Sequence, residues 1–230
     1  MVKTWAVGIC LALVGVLAGC GGGSSGVPLS NEISQLQPFD QWDYLVTGII
    51  FDGTQAESQD LRGSSTMIMT PEKVETPTHE LASVMLVRRE VVGKDFAEST
   101  TERIYIIQDP DGTIWICGGE KSSGAYWFDV PYKLVQSPLD YGVSWYTHVE
   151  STQQAEYDDY YIVVGSDRLD LPAGRFEAFH VTCNGRAEGS SVAADYWWAP
   201  SVGMFTQRCE TTLSSGGLVM KLTYKLAQAR

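Results

Sequence analysis

From residue 41 onward, apolar and polar residues alternate in short runs, and stretches with a 3.6-residue period are hard to find. The last run is the clearest. Leu218, Met220, Leu222, Tyr224 and Leu226 share one face of a strand, and Val219, Lys221, Thr223 and Lys225 share the other. Successive strand residues point to opposite sides, so this spacing predicts one buried face and one largely wet face. Comparable runs, rich in Val, Ile, Thr, Tyr and Trp, cover residues 41–51, 65–74, 83–92, 103–108, 113–117, 125–130, 143–150, 156–165, 175–183, 195–199 and 204–212. Residues 55–62 are polar and read as a loop. Turn chemistry separates the runs: Asp109-Pro110-Asp111-Gly112 is the clearest hairpin signal, and Pro172-Ala173-Gly174 and Pro200 with Gly203 mark two more. Residues 30–37 suggest a short helix capped by Ser30 or Asn31 and stopped by Pro38. A sheet of roughly a dozen strands curls or closes. The expected fold is mainly β: a single large curved antiparallel sheet or open barrel-like meander behind an N-terminal signal helix.

The first twenty residues follow a different pattern. Lys3 gives a positive start, Ala6 to Leu17 are apolar, and the small residues Ala18 and Gly19 precede Cys20. The apolar stretch is too short to span about 30 Å of hydrocarbon comfortably, so it reads as a secretory signal. Leu17-Ala18-Gly19-Cys20 resembles the lipobox of bacterial lipoproteins. That resemblance implies cleavage before Cys20 and a thioether-linked diacylglycerol on its sulfur, with the new amino group usually acylated as well in Gram-negative species. Gly21, where Asp would hold a lipoprotein at the inner membrane by the enterobacterial sorting rule, implies the outer membrane. Gly21 to Gly26 reads as a flexible tether. The same residues match G-x-S-x-G, but a nucleophile elbow needs a strand before it and a helix after it, so the match is rejected. The expected organisation is a signal peptide over 1–19, a lipidated cysteine and linker over 20–37, and one β-rich extracytoplasmic domain over 38–230.

Composition changes this picture only slightly. The chain carries 16 basic and 28 acidic residues, a formal charge of −12. Its net field repels nucleic acid and anionic headgroups, so neither is expected as a partner. The 23 glycines, 7 tryptophans and 11 tyrosines suit turns and strands.

Of five cysteines, Cys10 leaves with the signal and Cys20 carries lipid, which puts Cys117, Cys183 and Cys209 in an oxidising compartment. Three thiols allow one bridge and one leftover. Cys183–Cys209 is the favoured pair provided no strand separates theirs, with buried free thiols as the alternative. No C-x-x-C is present, which argues against a redox or zinc motif.

Candidate chemistry is sparse. His148 and His180 lie in expected strands and could share a metal with Glu150 or Asp159, but ordinary hydrogen-bonded histidines are the simpler reading. Asp158 and Asp159 are neighbours on a strand, face opposite ways and read as solvated carboxylates. Gly119-Glu120-Lys121-Ser122 lacks the Gly-Lys step of a phosphate loop. No catalytic residue, metal or cofactor is assigned. Trp145, Trp197 and Trp198 are the candidate binding residues, because neighbouring strand tryptophans cannot both fill a one-sided core and Trp is enriched at binding hot spots.

The later half also carries family-like pieces: Pro138-Leu139 with Gly142 and Trp145, then Leu171-Pro172-Ala173-Gly174-Arg175-Phe176-Glu177-Ala178, then Tyr196-Trp197-Trp198-Ala199-Pro200-Ser201-Val202-Gly203. These are similar to segments of uncharacterised bacterial envelope lipoproteins. The resemblance implies a curved antiparallel sheet, related to the LolA-like half-barrel, and brings no catalytic residues. The functional expectation is a membrane-anchored, non-catalytic binding or scaffolding module of the cell envelope, with a protein or hydrophobic ligand as partner. The alternatives are a structural subunit of an envelope complex and, less favoured, a hydrolase.

Overall fold

A computed structural model describes residues 30–230 apart from 53–57, 153–155, 188–189 and 215. The expected signal peptide, the lipobox Leu17, Ala18 and Gly19, and Cys20 lie outside the described residues. Twelve strands follow one another: β1 Gln41–Asp52, β2 Gln59–Glu75, β3 Leu81–Val92, β4 Ala97–Gln108, β5 Ile114–Lys121, β6 Gly124–Val135, β7 Ser144–Glu150, β8 Glu156–Leu171, β9 Gly174–Ala187, β10 Ser190–Ala199, β11 Met204–Leu213 and β12 Leu218–Ala229. Each expected run falls on one of them. The strands extend beyond the runs, and β2 takes in Gln59 to Arg62, which had read as loop.

All twelve belong to one antiparallel sheet of order β6-β5-β4-β3-β2-β1-β12-β11-β10-β9-β8-β7. The first and last strands pair, Tyr44 opposite Leu226 and Val46 opposite Tyr224. That pairing puts β6 and β7, consecutive in the chain, at the two free edges, where they meet and nearly close a barrel. The seam is not a regular ladder. It has one bridge, Phe128 opposite Ser151. Thr152 N–H donates to Trp127 C=O at 2.8 Å, Glu150 N–H to Asp129 Oδ1 at 2.8 Å, and Thr147 Oγ1 to Lys133 C=O at 3.3 Å. Pro131 in β6 has no N–H to contribute. Side chains therefore do much of the zipping.

Burial follows the pleat. In β7, Trp145, Thr147 and Val149 are buried while Ser144, Tyr146, His148 and Glu150 are exposed. In β12, Leu222, Tyr224 and Leu226 are buried and Lys221 and Lys225 exposed, as the alternation predicts. The apolar core fills the half of the barrel nearest the start of β1. Trp42, Ile114, Leu139, Trp198, Met204 and Leu226 are each at most 2% exposed there.

Residues 30–40 close that end. They form no helix, contrary to expectation, because neighbouring loops take up their backbone groups. Ser34 N–H donates to Pro200 C=O at 3.0 Å and Leu139 N–H to Asn31 C=O at 2.7 Å. Leu36 N–H donates to Gln108 Oε1 at 2.7 Å. Ile33 is 3% exposed, wedged into the core. The turn after β10 supports it: a 3₁₀ turn at Pro200–Val202 ends at Gly203 with φ 72°, a left-handed conformation suited to glycine. Residues 30–37, expected as linker, thus belong to the fold.

This arrangement predicts a measurable role for a segment with no regular structure. Ile33→Ala should lower unfolding free energy by about 2–4 kcal/mol, as for a buried core residue. Lys225→Ala, on the wet face, should change it by less than about 0.5 kcal/mol. Urea denaturation of both variants checks this. Equal, small effects would mean the segment is a tether after all.

Candidate functional site

The other half of the barrel interior is polar. Its residues come from inward rows that are otherwise apolar. On β3, Met85, Val87, Arg89 and Val91 share a face, and Arg89 is the exception. On β8, Tyr157, Asp159, Tyr161 and Val163 share a face, and Asp159 is the exception. On β11, Arg208 stands opposite Tyr196 of β10 and Tyr224 of β12, and Glu210 opposite Ala194 and Leu222. These assignments place two guanidiniums and several carboxylates inside.

They are organised around tyrosines. Arg89 pairs with Glu98 and donates from Nη1 to the Tyr224 hydroxyl at 3.3 Å. Arg208 pairs with Glu210. Its guanidinium lies 5.1 Å from the centre of the Tyr196 ring and 5.6 Å from that of Tyr224. Tyr224 thereby joins the two arginines. Deeper in, Tyr132 donates to Asp159 Oδ2 at 2.6 Å and its hydroxyl meets that of Tyr161. Burial pushes the Tyr132 and Tyr161 phenols well above their ordinary value, so both stay protonated at neutral pH.

Two cavities occupy this half. A mouth cavity of about 680 Å³ is lined by Ser65, Arg89, Glu98, Thr100, Glu102 and Tyr224 among others. An inner cavity of about 230 Å³ is lined by Tyr126, Phe128, Tyr132, Tyr157, Tyr161 and Tyr196, with Asp159, Arg208 and Glu210. Ile104 and Arg208 line both, so the cavities adjoin at that pair. Small-molecule sites commonly span about 300–1,000 Å³ and combine apolar walls with a few polar groups. Arg89 Nε, Arg208 Nε and Asp159 Oδ1 are buried without a hydrogen-bond partner among the described residues. Such groups cost about 1–3 kcal/mol each when unsatisfied, so water or a ligand in this interior space would pair with the three. Gly185 on β9, opposite Asp159, makes room for that carboxylate: a Cβ there would collide with Asp159 Oδ1 and the β8 backbone.

The residues expected to bind are placed elsewhere. Trp145 and Trp198, 6% and 2% exposed, are core residues of the filled half. Trp145 stacks on Tyr161 at 4.9 Å, and Trp198 packs edge-on against Phe205 at 5.8 Å. Trp197 alone faces outward. It stacks on His180 at 4.6 Å, and its indole N–H donates to Asp167 Oδ2 at 2.8 Å. The three tryptophans form no common face, because the bulge at Trp197/Trp198 and the pleat send them to different sides. His180 Nε2 lies 2.9 Å from Asp195 Oδ1, while His148 lies 3.9 Å from Asp158. Asp158 pairs with Arg186, six residues from His180 along β9, so the two histidines do not meet. Asp158 is outside, but Asp159 is buried, not solvated as expected.

The favoured disulfide does not form: Cys117, Cys183 and Cys209 are free thiols. Cys183 lies opposite Ala194 and Cys209 opposite Asp195, so β10 runs between them. Two strand spacings are about 9–10 Å, beyond the reach of a bridge. The side chains also leave β9 and β11 on opposite faces of the sheet. Burial pushes the Cys117 thiol up to about 11 and that of Cys183 up to about 12, so neither is a ready nucleophile.

No family model matches the chain, and none of the curated proteins matches it. Two solved structures share a broad likeness. A "putative exported protein with YmcC-like fold" from Bacteroides fragilis is 9% identical over 86% of this chain and 99% of its own, with a TM-score of 0.42. A "putative lipoprotein" from Parabacteroides distasonis is 10% identical over 84% of this chain and 96% of its own, with a TM-score of 0.40. At TM-scores under 0.5, neither carries the functional assignment.

Two outcomes follow from this geometry. Burial raises the Asp159 carboxyl above its usual value, while the hydrogen bond from Tyr132 pulls it the other way. The native state therefore holds that proton more tightly than the unfolded chain. Its stabilising contribution is complete below the unfolded value near about 4 and is lost as pH rises through the folded value. Asp159→Asn keeps an acceptor for Tyr132 and removes the titration. Its melting temperature should exceed the parent's near pH 8 and converge on it toward pH 4; a pH-independent difference contradicts the assignment. Secondly, alkylation of the unfolded, unreduced protein should label all three mature-domain thiols other than Cys20. Labelling of only one would restore a bridge.

Proposed function

We propose that this protein is a lipid-anchored, non-catalytic binding module of the bacterial cell envelope, whose ligand occupies the polar half of the barrel. The observation that carries the reading is the adjoining pair of cavities with three unpaired buried polar atoms around them. Closure of twelve strands leaves more interior than the core fills. The side chains around the surplus are tyrosines and charged pairs rather than aliphatic packing.

The anchor is the diacylglycerol expected on Cys20. Each buried CH₂ contributes about 0.8 kcal/mol, so two or three chains make release negligible. The described chain enters the fold at Ser30, on the stoppered end. The tether therefore attaches there, and the mouth opens at the opposite end, away from the membrane. The outer wall is mixed: Arg88 and Glu90 on β3, Asp158 on β8 and Lys221 on β12 lie in outward rows, while Leu45, Ile49 and Phe51 of β1 are exposed as well. Exposed charge at such depth would cost a bilayer-spanning barrel about 2–4 kcal/mol per basic residue near the midplane. The lipobox-like Leu17-Ala18-Gly19-Cys20 and Gly21 support an envelope location facing the periplasm from the outer membrane in a Gram-negative host. His79, His148 and His180 each lie beside a carboxylate, and none of them lines either cavity, which disfavours a hydrolase.

The full chain, purified gently from its own membranes, tests this reading. Native mass spectrometry should find a small non-covalent adduct on the protein. Ile104→Trp, at the junction of the two cavities, should remove the adduct while leaving the fold and the lipid mass intact. Cys20→Ser should move the protein from the membrane to the soluble fraction. An adduct-free parent whose melting is indifferent to Ile104→Trp would overturn the binding role. Persistence of the serine variant in carbonate-washed membranes would overturn the anchor.

A further inference from the structure

The inner cavity has a particular chemistry. Aromatic rings form much of its wall, with Ile104, Ile116, Leu134 and Val192 between them. Phe128 sits 5.7 Å from Tyr126, 6.1 Å from Tyr132 and 5.4 Å from Tyr157, measured between ring centres. Tyr161 and Tyr196 continue the wall at 6.1 Å from each other. Three charged residues line it: Asp159, Glu210 and Arg208. Arg208 is already neutralised by Glu210 and stacked on two tyrosines. Asp159 is the carboxylate of the three with no guanidinium hydrogen-bonded to it among the described residues. It is 6% exposed, takes one hydrogen bond, from Tyr132, and has an unpaired second oxygen. A carboxylate has about four acceptor sites. The positive charge that acts on Asp159 is Arg208, already paired with Glu210, so the charged residues lining the cavity leave one net negative charge.

We propose that the inner cavity binds a small organic cation, with an ammonium or quaternary ammonium group held among the tyrosine faces and Asp159 as its counter-ion. The proposal rests on the reading of the barrel as a binding module and names its ligand class. Rings attract a cation through their negative faces, and the effect grows when the site is desolvated. An anion would instead meet two carboxylates, Asp159 and Glu210, against the one guanidinium of Arg208, whose Nη2 is paired with Glu210 and whose Nε is unpaired among the described residues. An uncharged ligand could use the rings but would leave the cavity's net negative charge unmet. The cation is a free small molecule rather than a lipid headgroup, because the mouth opens at the end opposite the anchored one.

Isothermal titration calorimetry with two probes of the same shape separates charge from shape: choline and its uncharged isostere 3,3-dimethylbutan-1-ol. The full protein should bind choline at least about ten-fold more tightly than the alcohol. Asp159→Asn should lose about ten-fold or more of the choline affinity and leave the alcohol unchanged. Tyr161→Phe, which keeps the ring, should stay within about three-fold, while Tyr161→Leu should lose about ten-fold. Equal binding of both probes, or no choline heat in the folded protein, would overturn the cation assignment. If choline fails while the membrane-purified protein carries a different adduct that Ile104→Trp removes, only the ligand class falls. If no probe binds and no adduct is found, the binding module falls with it.

Discussion

The whole structure depends on closing one long antiparallel sheet. A twelve-stranded sheet leaves two long edges of unpaired N–H and C=O groups unless it curls until they meet. Pairing of β1 with β12 brings the edges β6 and β7 together. An eight-stranded barrel is just wide enough for side chains to fill. A ring of twelve is wider, so the interior must be plugged, lined or left for a guest. This chain plugs one half and lines the other.

The two halves obey different rules. In the plugged half, aliphatic residues and tryptophans reach near-zero exposure, and residues 30–40 are drawn in although they form no helix or strand. In the lined half, tyrosines carry the packing, and their hydroxyls and faces satisfy arginines and carboxylates that could not otherwise be buried. Tyr224 illustrates the principle: its hydroxyl takes a bond from Arg89 while its ring lies against Arg208. The lined half still falls short of full satisfaction, and the shortfall is localised at Arg89, Arg208 and Asp159. The filled half has one such atom, Trp145 Nε1, so the lined half carries most of the unmet hydrogen-bonding capacity among the described residues.

The fold was legible because strand periodicity and turn chemistry are local. The alternation of β12 and the Asp109–Gly112 hairpin needed no knowledge of distant neighbours, and the structure has both. The ends of strands were less legible, since Gln59 to Arg62 are polar and join β2 only through their partners on β1 and β3. Residues 30–37 show the limit of capping signals: local chemistry favoured a helix, but distant loops offered better partners. The site was largely illegible for the same reason. Arg89 and Asp159 interrupt apolar rows and could have been flagged as interior charges. Arg208 and Glu210 could not, because β11 is polar on both faces and the bulge at Trp197/Trp198 shifts its register. Tryptophan content pointed to Trp145 and Trp198, which fill the core, while the tyrosines that line the cavity are spread over four strands.

The central claim is that the polar half of this barrel is a pocket awaiting a guest and not a loosely drawn core. The most direct measurement is a high-resolution crystal structure of the protein isolated from its own membranes without refolding. The account predicts ordered non-protein density between Tyr132, Tyr161, Tyr196 and Asp159, with Arg208 still stacked on Tyr196 and Tyr224. A collapsed chamber, with the Arg208 guanidinium bonded directly to Asp159 and the rings in contact, would contradict it.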